Sequence, residues 1–333
     1  MYPETFRSIL VIKPGAIGDL LQITPTIRAL KRRFPEAEIT VLVGLDGTRS
    51  LFEHSPHVAE VLAYDRKGGQ RGWSGLLRFL HTIYRHRFDL VINFQRSRIV
   101  TWLITLAARP RRVLVYKKAH NRQVHAVVNH LETVAPLGIE LRKMDYALEL
   151  YLTEADEQNA DAFLEQAGLA GRKLVAFNPG ASNLIKCWPP HKFAQLATRL
   201  QQELQLAVLV VGGPYEAYLY DAMAADMDAP PLNLVGKTSL LTLGALLKRT
   251  ICLVSGDTGP LHVATAVGTP VVALFGAIDP ARTGPVGDQH IIVRHPELPC
   301  VPCMAKTCTN PVYLECMERI GVDEVFAAIR RFL

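Results

Sequence analysis

Short apolar, β-branched runs alternate with amphipathic stretches along most of this chain. The apolar runs predict β-strands at residues 8–13, 39–43, 58–63, 89–94, 112–116, 174–177, 207–211, 251–254 and 271–275. Helical periodicity predicts helices at residues 25–33, 75–85, 191–203, 215–225, 261–267 and 322–333. Apolar strands that alternate with helices are typical of parallel sheets covered on both faces, so the pattern predicts an α/β fold.

The alternation of strands and helices runs twice along the chain. The first series ends near residue 152, and the acidic amphipathic stretch 154–166 is followed by Gly168, Gly171 and a new strand. We therefore predict an N-terminal domain over residues 1–167 and a C-terminal domain over residues 168–333. Each is expected to be a Rossmann-like, doubly wound domain, and the two are expected to face each other across a ligand-binding cleft.

Composition excludes several classes of protein. The 333 residues are 49% hydrophobic and 20% charged, which excludes a disordered chain, a collagen-like chain and a disulfide-stabilised miniprotein. The N-terminus lacks the basic and apolar regions of a secretory signal. The longest uncharged run, between Asp257 and Asp279, is interrupted by glycine, proline and histidine and does not resemble a membrane span. We therefore expect a cytoplasmic protein.

Positive charge is concentrated in one part of the chain. The formal net charge is only +6, but residues 66–130 contain fourteen Lys and Arg residues and a single acid, Asp89. Such a segment indicates an anionic partner, either a phosphorylated substrate or an acidic membrane surface, although a solvated basic face is the alternative. Nucleic acid fits less well because no aromatic residues alternate with the basic ones as a stacking platform.

Two loops that follow predicted strands could bind a ligand. The segment KPGAIGD, residues 13–19, begins with Lys13 and has Gly18 directly before Asp19. Asp19 is interpreted either as a helix-capping residue or as a catalytic base. The segment FNPGASNLIKCW, residues 177–188, brings the Ser182 hydroxyl and the Lys186 ammonium close to backbone N–H groups that could hold phosphate oxygens.

Two further loops follow strands in the second half of the chain. Gly212 and Gly213 form either a tight turn or the border of a nucleotide. The segment VSGDTGPLH combines Asp257, Thr258, Gly259 and His262 at the start of a predicted helix. A helix N-terminus suits a diphosphate, and Asp257 could accept hydrogen bonds from sugar hydroxyls. His262 alone is more typical of a buried structural histidine.

Three segments together resemble a known family. ILVIKPGAIGDLLQITPTIRALKRRFP, FNPGASNLIKCWPPHKFAQLA and VSGDTGPLHVATAVGTPVVALFG are similar to hallmark segments of the lipopolysaccharide heptosyltransferases, family nine of the glycosyltransferases. The resemblance implies the glycosyltransferase B fold, with the nucleotide-sugar donor bound to the C-terminal domain. It also implies transfer of heptose from ADP-heptose to the anionic lipopolysaccharide inner core at the cytoplasmic face of the inner membrane. The family inverts the anomeric centre and requires no metal or other cofactor, and the chain looks closer to the heptosyltransferase II type.

The resemblance also implies roles for individual residues. Asp19 matches the general base, and Lys13 and Gly18 fall on the acceptor side. Lys186 and Ser182 match contacts to the donor phosphates, while Asp257 matches the acid that binds the transferred sugar. Thr258, Gly259 and His262 fall in the family's donor-side motif. Gly212 and Gly213 are assigned to the donor side from their place at a strand end and not from the resemblance.

Four of the six cysteines are clustered near the C-terminus, at positions 300, 303, 308 and 316. One CxxC pair with two irregularly spaced cysteines is compatible with zinc or an iron–sulfur cluster, but also with a thiol-rich packing loop. Disulfides are not expected in a reducing cytoplasm. We assign no metal to the site, and we interpret Cys187 and Cys252 as packing residues.

Three other functions remain open from the sequence. The first is a family relative that transfers a different nucleotide-activated sugar in capsule or O-chain synthesis. The second is a nicotinamide-dependent oxidoreductase, against which the missing GxGxxG after the first strand argues. The third is a non-catalytic nucleotide-sugar or membrane-binding protein in which Asp19 is only a helix cap.

Overall fold

A computed structural model describes residues 5–65, 70–95, 99–117, 124–225 and 227–333. The chain divides into two compact units, Met1–Tyr151 and Leu152–Leu333. Each unit contains one parallel sheet with helices connecting its strands. This architecture confirms the predicted α/β fold class.

The sheet of the first unit consists of β1 (Ser8–Ile12), β2 (Glu38–Val43), β3 (Glu60–Ala63), β4 (Leu90–Asn93) and β5 (Arg112–Val115). Its strands lie in the order β3-β2-β1-β4-β5, and all pairs are parallel. The central strands β1 and β4 are almost entirely apolar and buried, as expected for strands covered on both faces.

Within the described residues, six helices accompany this sheet. They are α1 (Ile17–Leu21), α2 (Thr24–Arg33), α3 (Ser50–Glu53), α4 (Gly72–His86), α5 (Ile99–Ala107) and α6 (Ala126–Val134). Helix α4 buries one apolar stripe, which includes Leu76, Phe79 and Ile83, in a core shared with β1, β4 and α5. This amphipathic pattern is the reason that the sequence predicts α4 well.

The sheet of the second unit consists of β6 (Leu174–Asn178), β7 (Ala207–Val210), β8 (Leu232–Asn233), β9 (Cys252–Ser255), β10 (Val271–Leu274) and β11 (Ile291–Val293). The order β11-β10-β9-β6-β7-β8 is the strand order of a Rossmann fold. The two-residue β8 and three-residue β11 lie at the edges of the sheet, and the apolar runs did not predict either of them.

Eight helices of the part of the chain that the structure describes belong to the second unit. They are α7 (Glu154–Gln166), α8 (Pro190–Leu204), α9 (Ala217–Ala224), α10 (Leu240–Lys248), α11 (Gly259–Ala266), α12 (Pro280–Thr283), α13 (Glu315–Glu318) and α14 (Val322–Arg330). The core includes Trp188, whose indole Nε1 donates to the Ile320 carbonyl at 3.0 Å. Among the described helices, none combines the length and apolar character needed to cross a membrane.

Helix α7 is part of the second unit. Its acidic side chains Glu157 and Asp161 form ion pairs with Arg249, and Glu157 also pairs with Lys248 at 2.9 Å. These contacts hold α7 against the end of α10. The junction between the two units therefore precedes α7, whereas the sequence analysis placed the domain boundary after it, between residues 167 and 168.

Each sheet has a topological switch point, where the strand order reverses direction. In the first unit it lies between β1 and β4, and in the second unit between β6 and β9. Ligands of open α/β sheets bind beyond the carboxyl ends of the strands at such points. The segments that begin at Lys13, Asn178 and Ser255 lie at these ends.

Candidate active site

The first candidate site is a cleft in the N-terminal unit next to the carboxyl end of β1. Its volume is about 840 Å³, and Gly15, Asp19, Tyr64, Asp65 and Thr101 are among the residues that line it. The Asp19 side chain is 52% exposed, so its carboxylate is accessible from the cleft. Gly18 is buried in α1 directly before Asp19.

The position of Asp19 in α1 differs from that of a capping residue. The N-cap of α1 is Ala16, and Asp19 lies in the first turn of the helix. Gly15 provides the space for the Asp19 side chain, because a Cβ at residue 15 would come within 2.9 Å of the Asp19 Cβ. The local sequence Gly-Ala-Ile-Gly-Asp therefore directs a carboxylate into the cleft rather than onto the helix end.

A buried lysine is paired with Asp19. The Lys13 ammonium is 3.4 Å from Asp19 Oδ1, and the side chain of Lys13 is only 8% exposed. Lys13 Nζ also lies 3.4 Å from His130 Nε2, and His130 Nδ1 lies 3.3 Å from the Gln22 carbonyl. A carbonyl can only accept, so Nδ1 carries the proton and Nε2 accepts from the ammonium. This chain of hydrogen bonds fixes Lys13 beside Asp19.

His130 is neutral over the physiological pH range. Burial and the neighbouring Lys13 charge lower its pKa to about 3, and the rings of Phe94 and Tyr116 pack against it. The sequence analysis did not identify His130, which lies in α6, far along the chain from Lys13. Only the hydrophobic spacing of α6 could have indicated that this histidine faces inward.

The pKa of His130 predicts an acid-dependent loss of stability. Between pH 7 and pH 5 the unfolded chain binds a proton at residue 130, but the folded chain does not. The free energy of unfolding should therefore fall by about 2 kcal/mol more in the wild type than in His130→Gln. Urea titrations of both proteins at the two pH values measure this difference. The other titratable groups are the same in both proteins, so their contributions cancel. Equal pH dependence in the two proteins would contradict a neutral His130.

The second candidate site lies in the C-terminal unit at the switch point between β6 and β9. Asn178 Nδ2 donates to Ser255 Oγ at 3.2 Å and to Thr258 Oγ1 at 2.9 Å, and it also contacts the Gly180 carbonyl. The two hydroxyls of Ser255 and Thr258 are 2.9 Å apart. This network holds the loops after β6 and β9 together.

Lys186 and Asp257 form an ion pair in this site. Lys186 Nζ is 2.7 Å from Asp257 Oδ2, and the two side chains are 20% and 11% exposed. His262 Nε2 is 4.0 Å from the other carboxylate oxygen of Asp257. The Lys186 carbonyl lies against Gly256, where a Cβ would be only 2.5 Å away, so the backbone of the loop requires glycine there.

Helix α11 begins at this ion pair. Gly259 and Pro260 form its first turn, and Thr258 is the N-cap residue. The Thr258 hydroxyl is hydrogen-bonded to Asn178 and Ser255, so it does not serve as the side-chain cap. A helix N-terminus carries partial positive charge, and together with the Lys186 ammonium it forms a setting that suits phosphate oxygens.

A carboxylate that the sequence analysis missed completes this site. Glu216 Oε2 accepts from the Gly213 backbone N–H at 2.7 Å. A Cβ at Gly180 or Gly212 would come within 2.2 Å or 2.7 Å of the same side chain, so both glycines give it room. Acidic side chains near such strand ends accept hydrogen bonds from ribose hydroxyls in nucleotide-binding sheets. In the sequence, the one feature that could have indicated Glu216 is its position three residues after a Gly-Gly pair.

Ser182 lies apart from these contacts. Its side chain is exposed in the loop between β6 and the short 3-10 turn that contains Lys186. In that turn, Asn183 accepts from the Ile185 N–H and donates to the Lys306 carbonyl at 2.6 Å. The loop is therefore anchored by Asn183, and Ser182 is free to contact a ligand.

The clustered cysteines line a small cavity of about 30 Å³ in the second unit. None of Cys300, Cys303, Cys308 and Cys316 forms a disulfide, and burial raises the pKa of Cys316. Within the described ranges, no group of three or more His, Cys, Asp or Glu residues has the arrangement of a metal site. Burial also raises the pKa of Cys187 to about 11 and that of Cys252 to about 12.

Comparison with known proteins identifies the family. The family model described as glycosyltransferase family 9 (heptosyltransferase) matches residues 76–314. The chain is 27% identical over 340 residues to lipopolysaccharide heptosyltransferase 3 of Escherichia coli K12, covering 95% of each protein.

Two solved structures share the fold. A family 9 glycosyltransferase of Veillonella parvula has a TM-score of 0.84 at 22% identity, covering 98% of this chain and 97% of that one. The ADP-heptose lipopolysaccharide heptosyltransferase II of E. coli has a TM-score of 0.79 at 22% identity, covering 98% of both chains. The resemblance inferred from the sequence motifs is confirmed: the chain belongs to glycosyltransferase family 9, the heptosyltransferases.

Proposed function

We propose that this glycosyltransferase moves a heptose from ADP-heptose to the lipopolysaccharide inner core, with inversion at the anomeric carbon and without a metal ion. The observation that carries the proposal is the Asp19 carboxylate, which is accessible in an open cleft and held by Lys13. The names of the relatives support the choice of donor and acceptor, since they include an ADP-heptose lipopolysaccharide heptosyltransferase.

On the acceptor side, Asp19 acts as the general base. It accepts the proton of an acceptor hydroxyl while the hydroxyl oxygen bonds to the anomeric carbon of the donor. The bond from that carbon to the diphosphate oxygen breaks in the same step, and ADP leaves from the opposite face. Such a single displacement inverts the anomeric centre. Lys13 orients the carboxylate, and His130 in turn positions Lys13.

On the donor side, the leaving diphosphate gains negative charge as the bond breaks. The Lys186 ammonium and the N-terminus of α11 neutralise this charge, which is the task that a divalent ion performs in other glycosyltransferases. Asp257 holds Lys186 and accepts from hydroxyls of the transferred sugar. Ser182, Thr258 and Gly259 contact the phosphates.

The nucleotide part of the donor binds next to the glycine pair. Gly212 gives room to the Glu216 side chain and the Gly213 N–H holds it, and Glu216 accepts hydrogen bonds from the ribose hydroxyls of the nucleoside. His262 supports Asp257 from the first turns of α11. The acceptor is an anionic, membrane-anchored glycolipid, so we place the reaction at the cytoplasmic face of the inner membrane.

Calorimetric titration with nucleotide sugars in EDTA tests the donor assignment. We expect ADP-heptose and ADP to bind, and we expect UDP-glucose to bind at least about tenfold more weakly, because a pocket built to hydrogen-bond one base leaves polar groups unpaired with another. NADH shares the ADP half of the donor, so we expect it to bind no more tightly than ADP. Preferred binding of a UDP-sugar would support a relative with a different donor. Binding of NADH that is tighter than the binding of both ADP and ADP-heptose would overturn the transferase assignment, and loss of ADP-heptose binding in EDTA would contradict metal independence.

A further inference from the structure

Helices α4 and α5 present large apolar side chains to solvent. On α4 the exposed stripe is Trp73, Leu77 and Tyr84, and on α5 it is Ile99, Trp102 and Leu106. Residues separated by three, four and seven positions lie on one side of a helix, so each set forms a continuous stripe. Trp73 is 80% exposed, Leu77 64%, Ile99 79% and Leu106 70%. We refer to these six residues as the α4–α5 face.

The two stripes belong to neighbouring helices. The opposite sides of α4 and α5 share one buried core, to which Phe79, Ile83 and Ile104 contribute. At one end, Arg109 follows α5 and donates to the Tyr84 hydroxyl at 3.3 Å, with its guanidinium 5.6 Å from the centre of the Tyr84 ring. The end of α5 therefore lies next to the stripe of α4, and none of the six residues of the α4–α5 face belongs to the buried core beneath it.

Exposed arginines lie on α4 or directly beside the ends of α4 and α5. They are Arg71, Arg78, Arg85, Arg87 and Arg109, and the salt bridges of the described residues involve none of these five. The acid of this segment, Asp89, accepts instead from the backbone N–H groups of Arg7 and Ser8. Six other basic residues of the charge-rich segment lie outside the described residues: Arg66, Lys67, Arg96, Arg98, Lys118 and Arg122.

Helix α5 connects this face with the Asp19 cleft. Val100, Thr101 and Ile104 of α5 line the cleft, whereas Ile99, Trp102 and Leu106 of the same helix belong to the α4–α5 face. A membrane in contact with the exposed side of α5 would therefore lie close to the cleft. An acceptor anchored in that membrane could extend its sugars to Asp19 while its lipid part stays in the membrane.

We infer that the α4–α5 face docks on an anionic lipid bilayer and positions the Asp19 cleft over its membrane-anchored acceptor. The inference rests on the proposed function for the nature of the acceptor. Tryptophan and tyrosine favour the headgroup region of a membrane, and arginine is attracted to anionic headgroups. A second copy of the chain is a poorer occupant, because a symmetric contact through this face would bring its arginines against one another.

Vesicle sedimentation tests the inference with the full chain. We expect the wild type to pellet with phosphatidylglycerol-containing vesicles. Its affinity for pure phosphatidylcholine vesicles should be lower by a factor of about ten or more. The triple variant W73S/L77S/L106S should lose at least about tenfold in affinity for the anionic vesicles. The matched control V312S/Y313S removes exposed apolar side chains of the second unit and should bind like the wild type.

A second readout separates this inference from the proposed function. Transfer to a lipid-free, phosphorylated core oligosaccharide should be equal in the wild type and the triple variant, whereas transfer to acceptor in vesicles should fall in the variant. Equal vesicle binding by all three proteins would overturn the inference, as would a dimer that the triple variant dissociates and that binds no vesicles. If the wild type pellets with vesicles but glycosylates neither acceptor, the proposed function fails while the docking surface stands.

Discussion

Asp19→Asn is expected to lower kcat for heptose transfer by about 10²–10⁴. Asparagine keeps the shape of the side chain but cannot accept the proton of the acceptor hydroxyl. The effect should appear in kcat rather than in the KM for ADP-heptose, because Asp19 lies in the N-terminal cleft whereas the proposed donor contacts belong to the second unit. Initial rates of ADP release, at saturating donor and acceptor, measure the change.

The fold should tolerate this substitution. Asp19 is half exposed, and the carbonyl oxygen of an asparagine at this position can still accept a hydrogen bond from the buried Lys13 ammonium. Asp288→Asn, at an exposed position of the second unit, is the matched control and should retain wild-type rates. If Asp19→Asn is folded and as active as the control, Asp19 is not the base and the proposed acceptor-side mechanism is wrong.

Lys186→Gln is expected to lower kcat on the order of 10²–10³, since one preorganised charge that stabilises the leaving group is removed. Glutamine can still donate a hydrogen bond to Asp257, so the carboxylate is not left without a partner. The variant should also bind ADP more weakly than the wild type. Steady-state rates with varied ADP-heptose, together with calorimetric titration of ADP, separate the two effects.

A matched control for this prediction lies at the other end of the same strand. Lys173 is exposed directly before β6, whereas Lys186 follows the carboxyl end of β6. Lys173→Gln removes the same charge from the same unit and should leave kcat and KM unchanged. A Lys186→Gln enzyme with raised KM but unchanged kcat would mean that Lys186 binds the donor without stabilising the transition state.

The strands of both sheets could be predicted because they are short apolar runs between polar segments. All nine predicted strands occur, and β6 and β9 match their predicted ranges to within a residue at either end. Strands β8 and β11 were missed because they are two and three residues long and lie at sheet edges, where only backbone pairing with a neighbour defines them.

Several helices could not be predicted from periodicity. Helix α5 contains apolar residues on all sides and is rich in β-branched residues, a composition that also suits a strand. Its apolar residues fall into a buried set, a set that lines the cleft and an exposed set. Only the folded unit distinguishes these sets. The local sequence could therefore not show that one side of α5 lines the cleft and another side is exposed to solvent.

The candidate site was predictable only where a strand leads directly into a motif. Asp19, Lys186 and Asp257 lie in the segments that directly follow β1, β6 and β9, and the ion pair between Lys186 and Asp257 joins two of these motifs. His130 was not predicted because its partner, Lys13, lies far away along the chain. Glu216 was not predicted because its side chain occupies the space that two glycines leave open. Such contacts depend on how helices pack, which no local pattern contains.

Acceptor-dependent ADP release is the most direct test of the proposed heptose transfer. The wild-type chain would be incubated with ADP-heptose in EDTA, with and without truncated inner-core lipopolysaccharide. Mass spectrometry would give the mass of the product, and NMR spectroscopy would give its anomeric configuration. The proposed function predicts ADP release only with acceptor, a product heavier by one heptose, and inverted anomeric configuration. Donor binding without any acceptor-dependent release, or a product that retains the configuration, would contradict it.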